Sequence, residues 1–310
     1  MNGIFSRALW PLAAALLVQA APAQQQGART APRLVRYCTD YLVNLQKKTR
    51  AVHMWILVPQ DIPDQLGVRS LQITPKPKDL FTKNGSRYAH FEFDGSKREV
   101  PIRIEAEVEL RRHDLKQHQS RRPASRRTEA ITDRSAWLAS ERYLRHEDPS
   151  IRAAARSIKG SGHQQIVREV HRFVQRTMSP GSYDPKDRGA VQALARKKGD
   201  CTEYADLFVA LCRAKRIPAR VVEGYTIPWK DTPRHNWAEV WLGEHGWVSF
   251  DPFRCADGSA AFERVENIYI RLAVQRNDPK LAGYHFFRYV YFGDAIDVKH
   301  DLKVLPKRRK

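Results

Sequence analysis

The alternation of apolar and polar residues between Arg33 and Leu110 constrains the fold of this 310-residue chain more than any other feature. In "VPIRIEAEVEL" every second residue from Val100 is apolar, and the residues between them are Pro101, Arg103 and three glutamates. Side chains alternate between the two faces of a strand, so half-buried antiparallel strands show this pattern. Several such strands with turn residues between them predict a small antiparallel β-sandwich over residues 30–112.

The segment 113–129 interrupts the alternation. It lies within "RRHDLKQHQSRRPASRRTE", which is rich in Arg and Lys and almost free of apolar residues. This composition favours a solvated basic linker over a contact site for an anionic partner.

A helical period replaces the alternation in the next part of the chain. In "HQQIVREVHRFVQRTM" the apolar residues Ile166, Val170 and Val174 recur every four positions, and a second helical run begins at Cys201. After Pro218 the alternation returns in "RHNWAEVWL" and "GWVSFDPF". Residues 130–300 are therefore predicted as a second domain of the α+β class, followed by a basic tail at 301–310.

The N-terminus has the features of a secretory signal peptide. A positive charge at Arg7 precedes an apolar run, and Ala21-Pro22-Ala23 provides small residues for cleavage, predicting a signal peptide at 1–23. A periplasmic or secreted protein is expected. The formal charge of +20 then indicates association with anionic envelope polymers rather than with nucleic acid.

Cys201 stands at a predicted helix start. Asp200 is a suitable N-cap and Glu203 lies three residues later, as in a capping box. The helix dipole and the free backbone N–H groups of the first turn favour a thiolate there, and the N–H of Cys201 is suited to bind an oxyanion. The carboxylate of Asp200 opposes the thiolate, so the thiol also requires a base.

The following strands supply a base and a carboxylate. His235 begins "HNWAEVWL", Asp251 ends "GWVSFDPF", and a short turn joins the two strands. The two residues share a face only if the register of the hairpin is odd or a bulge intervenes. We predict that this condition holds, so that nucleophile, base and orienting carboxylate meet.

These motifs resemble the core of the transglutaminase-like superfamily, over residues 130–300 and most closely from Gly199 to Phe253, and the arrangement is similar to secreted bacterial members with an N-terminal β-domain. The resemblance implies a papain-like fold in which the cysteine helix packs on an antiparallel sheet. It implies that Cys201 is the nucleophile, His235 the general base and acid, and Asp251 the residue that orients the imidazole. No cofactor or metal is required by this motif.

Other residues have weaker assignments. Tyr183 is a candidate second oxyanion donor, Trp237 is either a packing or a cleft residue, and Cys212 is expected in the core. One disulfide between Cys38 and Cys255 is conceivable.

Three functions are compatible with these features, of which polyanion binding through the +20 charge ranks last. The preferred one is acyl transfer from an amide or peptide, such as a cell-envelope peptide, to water or to an amine. The alternative is a non-catalytic envelope-binding or scaffold protein that retains the fold.

Overall fold

The computed structural model describes residues 31–115, 131, 133–227, 234–256, 261–262 and 264–306. The predicted signal peptide, most of the basic linker and the last four residues lie outside this part. The chain has the predicted α+β fold, with sixteen strands and five α-helices among the described residues.

The strands are numbered β1 to β16 in chain order. Their bounds are Arg33–Asn44, Ala51–Val58, Leu66–Thr74, Asp79–Lys83, Ser86–Phe93, Glu99–Leu110, His113–Asp114, Ser179–Pro180, Lys198–Gly199, Ala219–Thr226, Arg234–Trp241, Trp247–Phe250, Arg264–Val265, Tyr269–Ala273, Phe287–Phe292 and Asp297–Leu305.

The helices are Pro149–Ser157 (α1), His163–Thr177 (α2), Gly189–Arg196 (α3), Cys201–Ala214 (α4) and Pro252–Ala256 (α5), with a 3₁₀ turn at Gly243–His245.

Two four-stranded antiparallel sheets form the sandwich predicted from the first part of the sequence. Their strand orders are β16-β1-β6-β3 and β15-β2-β5-β4. The alternating apolar residues of β1 and β6, such as Tyr41, Val43, Ile102 and Ile104, are buried between the sheets. Their polar neighbours pair on the outside, where Arg103 contacts Asp40.

The C-terminal strands complete this sandwich, which corrects the domain bounds expected from sequence. Residues 287–300 were expected in the second domain and 301–310 as a basic tail. The structure instead pairs β15 with β2, and it pairs β16 with β1 from Arg36–Leu305 to Asn44–Asp297. Local periodicity predicts a strand but does not specify its partner, so the sequence pattern could not locate these two sheet edges.

The second part of the chain packs helices on a third antiparallel sheet, of order β12-β11-β10-β14. Helix α4 lies at the centre and is buried on every side from Glu203 to Arg213, beyond the single inward stripe expected from sequence. The sheet covers one side of α4, and helices α1, α2 and α3 cover the others. A helix in this position is buried all round.

The sandwich packs directly on the third sheet. Tyr37 and Leu66 of the sandwich share a core with Tyr225 and Ile270 of the third sheet. Beside this core, Gln65 of the sandwich donates a hydrogen bond of 3.0 Å to the fully buried Glu239. Glu239 also bonds Arg220 and Arg271, so a buried ion cluster of the third sheet extends to the sandwich.

Candidate active site

The N-terminus of α4 forms the capping box predicted from sequence. The Asp200 side chain accepts a hydrogen bond from the backbone N–H of Thr202 (2.8 Å), and Glu203 accepts one from the N–H of Asp200 (3.1 Å). Asp200 also accepts one from the N–H of Asp184 (3.0 Å), which fixes the upstream loop against the helix. Within the described residues no hydrogen bond engages the N–H of Cys201, so this donor remains available to an oxyanion.

The two carboxyl groups of the capping box do not both carry a full charge at neutral pH. Burial, followed by the charge of Asp200, raises the pKa of Glu203 to about 7. The repulsion between this pair and a thiolate at Cys201 is therefore weaker than two full charges would produce.

His235 and Asp251 meet at the end of the β11–β12 hairpin. The hairpin pairs Trp241 with Trp247 and Ala238 with Phe250, so odd-numbered residues lie opposite odd-numbered residues. When this register is continued by one more pair, Asp251 lies on the same face of the sheet as His235, as the parity condition requires. Nε2 of His235 donates to Oδ2 of Asp251 at 2.6 Å, and Cys201 lies close enough to the imidazole to favour its charged form.

The surroundings of His235 favour its charged form. Burial lowers the pKa of this imidazole, but the Asp251 carboxylate and Cys201 outweigh burial and raise the pKa to about 10. Burial acts to raise the pKa of Asp251, yet His235 and the hydrogen bonds to the carboxylate hold it below its ordinary value. This arrangement can hold a charged imidazolium beside the Cys201 side chain.

Two further groups hold the Asp251 carboxylate in place. The hydroxyl of Tyr269 donates to Oδ2 at 2.6 Å, and the backbone N–H of Arg254 donates to Oδ1 at 2.9 Å. Tyr269 was missed by the sequence analysis, because its position beside Asp251 depends on the pairing of β14 with β10 across the sheet.

A second contact joins the cysteine helix to the histidine strand. The side-chain amide of Asn236 donates to the hydroxyl of Thr202 at 2.9 Å. Each residue immediately follows a member of the proposed triad, so this bond fixes the distance between the two elements. Neither residue has a sequence signal that would single it out.

Cys201 and His235 line a cavity of about 270 Å³. Tyr183 also lines it, with 64% of its surface exposed, and its role as an oxyanion donor remains a prediction. Trp237 lies behind the site: it is buried, its ring stacks on His235 at 6.2 Å, and it does not line the cavity. Of the two alternatives from sequence, the structure thus places Trp237 in packing.

A charged cluster borders the same cavity. His285 hydrogen-bonds Glu223 through Nδ1 and Asp187 through Nε2, and Asp187 is also paired with Arg276. The charge of Glu223 outweighs burial and, with Asp187, raises the pKa of His285 to about 10. Sequence could not identify this cluster, because its members lie on four separate segments.

No disulfide joins any of the four cysteines, so the Cys38–Cys255 bridge is not formed. Cys212 is fully buried, as expected for a core residue. Across the described ranges no group of three or more His, Cys, Asp or Glu residues could hold a metal ion. None of the described helices is long and apolar enough to cross a membrane.

The fold and site define a papain-like α+β domain with a Cys-His-Asp arrangement. Residues 152–252, which include all three of these residues, match the Transglutaminase-like superfamily. This part of the chain is therefore a transglutaminase-like domain, as the sequence resemblance predicted.

Several relatives share parts of this domain. The chain is similar to a protein-glutamine gamma-glutamyltransferase of Pseudomonas aeruginosa, with 30% identity over 147 residues, 42% of this chain and 22% of the relative. It is also similar to the uncharacterized protein YebA of Bacillus subtilis, with 34% identity over 21% of this chain and 11% of the relative. The matched region thus spans about a fifth or less of the length of these two relatives.

A solved structure covers nearly the whole chain. A candidate cysteine protease from Cytophaga hutchinsonii superposes over 90% of this chain and 93% of its own, with a TM-score of 0.61 and 18% identity. This likeness shows that the sandwich and the helix-covered third sheet occur together in another protein of the same fold.

Proposed function

We propose that the protein is a thiol-dependent acyl-transfer enzyme that attacks an amide or peptide carbonyl through Cys201. The observation that carries this proposal is that Cys201 and His235 line one cavity, while His235 is hydrogen-bonded to the buried Asp251. Relatives named as a transglutaminase and a candidate cysteine protease support the same general chemistry.

The proposed reaction proceeds in two steps. The thiolate of Cys201 attacks the carbonyl carbon, and the N–H of Cys201 donates to the developing oxyanion. The imidazolium of His235 gives its proton to the leaving nitrogen as the C–N bond breaks, which leaves a thioester and a neutral imidazole. His235 then takes a proton from water or an amine as it attacks the thioester, and the thiolate and imidazolium are restored.

We favour water over an amine as the acyl acceptor. Transfer to an amine requires a channel that excludes water, and an apolar lining would provide one. Phe253 and Phe286 line part of the cavity, but charged residues, among them Asp184, Asp187 and Arg234, line another part and leave it accessible to water. This charged part of the lining supports a peptidase or amidase.

The substrate and location follow from the sequence. A signal peptide at 1–23 would export the protein to the periplasm or beyond. Protein or peptide substrates of the cell envelope are then the accessible class, and the charge of +20 would retain the enzyme near anionic polymers.

Glutamine peptides and wall peptides, each with and without a fluorescent primary amine, test this proposal. We expect a thioester on Cys201, detected by intact-mass spectrometry, and release of the amine or ammonia. Product acid should form even when the amine is present. Cys201→Ala should abolish both signals, whereas Cys255→Ala should retain them.

The alternative, a non-catalytic envelope-binding protein, predicts a different result. Cys201 would then show no acylation and no enhanced reaction with iodoacetamide. Product that carries the amine in preference to water would refute the hydrolytic form of the proposal and retain its thiol chemistry.

A further inference from the structure

A strongly basic cavity lies at the end of α4 opposite Cys201. It has a volume of about 610 Å³. A 14-residue helix is about 20 Å long, so this cavity is separate from the catalytic one. Its cationic lining residues come from α1 and from the end of α4; they are Arg152, Arg156, Arg213, Lys215 and Arg216.

Most of these cations have no acidic partner. Arg152, Arg156 and Arg216 form no ion pair with any described residue, and the only acidic side chain that lines the cavity is Glu147. Lys215 donates to the carbonyl oxygen of Ile158 at the end of α1 (3.0 Å).

Arg213 is built into the wall of the cavity. It is 2% exposed, and it donates through Nε to Ala219 (2.9 Å) and through Nη1 to Ala139 (2.7 Å) and Glu141 (2.6 Å). Its Nη2 makes no hydrogen bond within the described part of the chain. A rigidly held guanidinium that retains a free nitrogen is suited to bind an oxyanion.

His146 supplies another unsatisfied group in the same cavity. Its Nδ1 is buried and has no hydrogen-bond partner. Burial lowers the pKa of His146; Glu147 opposes this shift, and Arg213 and Arg152 add to it. A buried polar atom without a partner is costly, and an anion that accepts a hydrogen bond from Nδ1–H would remove this cost.

The negative ends of the helix dipoles do not neutralise the positive charge of this cavity. The C-terminal ends of α1 and α4 each contribute about half a negative charge. Together with Glu147 and Glu141 they offset about three of the five positive charges, so a surplus of about two remains. A phosphate group carries about 1.5 to 2 negative charges at neutral pH, whereas a carboxylate carries one.

We propose that this cavity is a binding site for a phosphate-bearing anion, independent of the thiol chemistry at Cys201. The ligand is either a small phosphate compound or a phosphate group of an envelope polymer. Both offer the same oxyanion to the arginines.

Titration calorimetry of the mature protein with inorganic pyrophosphate, at about 0.1 M salt, tests this proposal. We expect one saturable site, and Arg152→Gln/Arg156→Gln should weaken it about tenfold. The matched control is Arg172→Gln/Arg176→Gln, which removes two exposed arginines with the same spacing from α2. The control and Cys201→Ala should bind as the wild type does. Thermal unfolding checks that each variant is folded.

Three results would overturn the proposal: no saturable binding, equal weakening by the control, or equally tight binding of the dicarboxylate malonate. Polyphosphate chains distinguish the two sources of ligand. Tighter binding of the chain than of pyrophosphate identifies a polymer, and equal binding identifies a small phosphate compound.

Discussion

Replacement of Asp251 by Asn gives the most direct test of how the site generates a reactive thiol. The variant keeps the shape of the side chain and removes its charge. The pKa of His235 stands at about 10 against an ordinary 6.5. This difference is roughly 5 kcal/mol in favour of the imidazolium, since one pH unit is about 1.4 kcal/mol.

The magnitude of the effect follows from this figure. Burial opposes the charged imidazole, and Asp251 is the largest influence that favours it. If Asp251 provides only half of the 5 kcal/mol, its removal lowers the population of the thiolate–imidazolium pair by about 50-fold or more. Tyr269→Phe removes one hydrogen bond to the carboxylate and leaves its charge, so a smaller loss of about tenfold is expected.

The assay is the rate of alkylation by iodoacetamide over a range of about pH 5 to 9. The wild type should react at a nearly constant rate across the neutral range. Asp251→Asn should react slowly at neutral pH and accelerate as the pH rises, because its thiol must ionise without the imidazolium. Peptide mass spectrometry separates Cys201 from Cys255, the other partly exposed thiol, which serves as the internal control.

One result would refute this reasoning. If Asp251→Asn reacts at the wild-type rate near neutral pH and the Cys255 rate is unchanged, the charge of Asp251 does not maintain the ion pair. The pKa of His235 must then depend on groups other than this carboxylate.

Two further predictions concern stability. Glu239→Gln should lower the free energy of unfolding, measured by chemical denaturation, by about 3–5 kcal/mol, because it leaves Arg220 and Arg271 buried without their carboxylate. The control Glu92→Gln changes an exposed residue and should lower it by less than about 1 kcal/mol. Burial acts to raise the pKa of Glu239, but the two arginines outweigh it and lower the pKa to about 2. The contribution of Glu239 to the free energy of unfolding is therefore fully present above pH ~4.5 and is lost as the pH falls towards 2. If Glu239→Gln loses the same stability with acid as the wild type, this assignment is wrong. Deletion of 294–310 removes β16 and should abolish the cooperative thermal transition of the sandwich, whereas deletion of 307–310 should not; an unchanged melting temperature in the longer deletion would show that β16 is dispensable.

Local patterns in the sequence accounted for the elements that carry the proposed triad. The capping box around Asp200 placed Cys201 at a helix start, because side-chain capping depends on residues three positions apart. Alternation placed His235 and Asp251 on neighbouring strands, and hairpin parity reduced their meeting to one condition, which the register satisfies. These features depend only on interactions between residues that are close together in the sequence.

Tertiary structure decided everything that depends on contacts between distant segments. The pairing of β15 and β16 with the first strands, the hydrogen bond from Tyr269 to Asp251 and the burial of Trp237 each join residues whose relation is set by sheet order. The basic cavity likewise forms only where α1 meets the end of α4. The sequence by itself determined which residues are chemically capable and on which elements they lie. The packing of those elements determined which side chains meet, because period and spacing carry no information about the partner across a sheet or between helices.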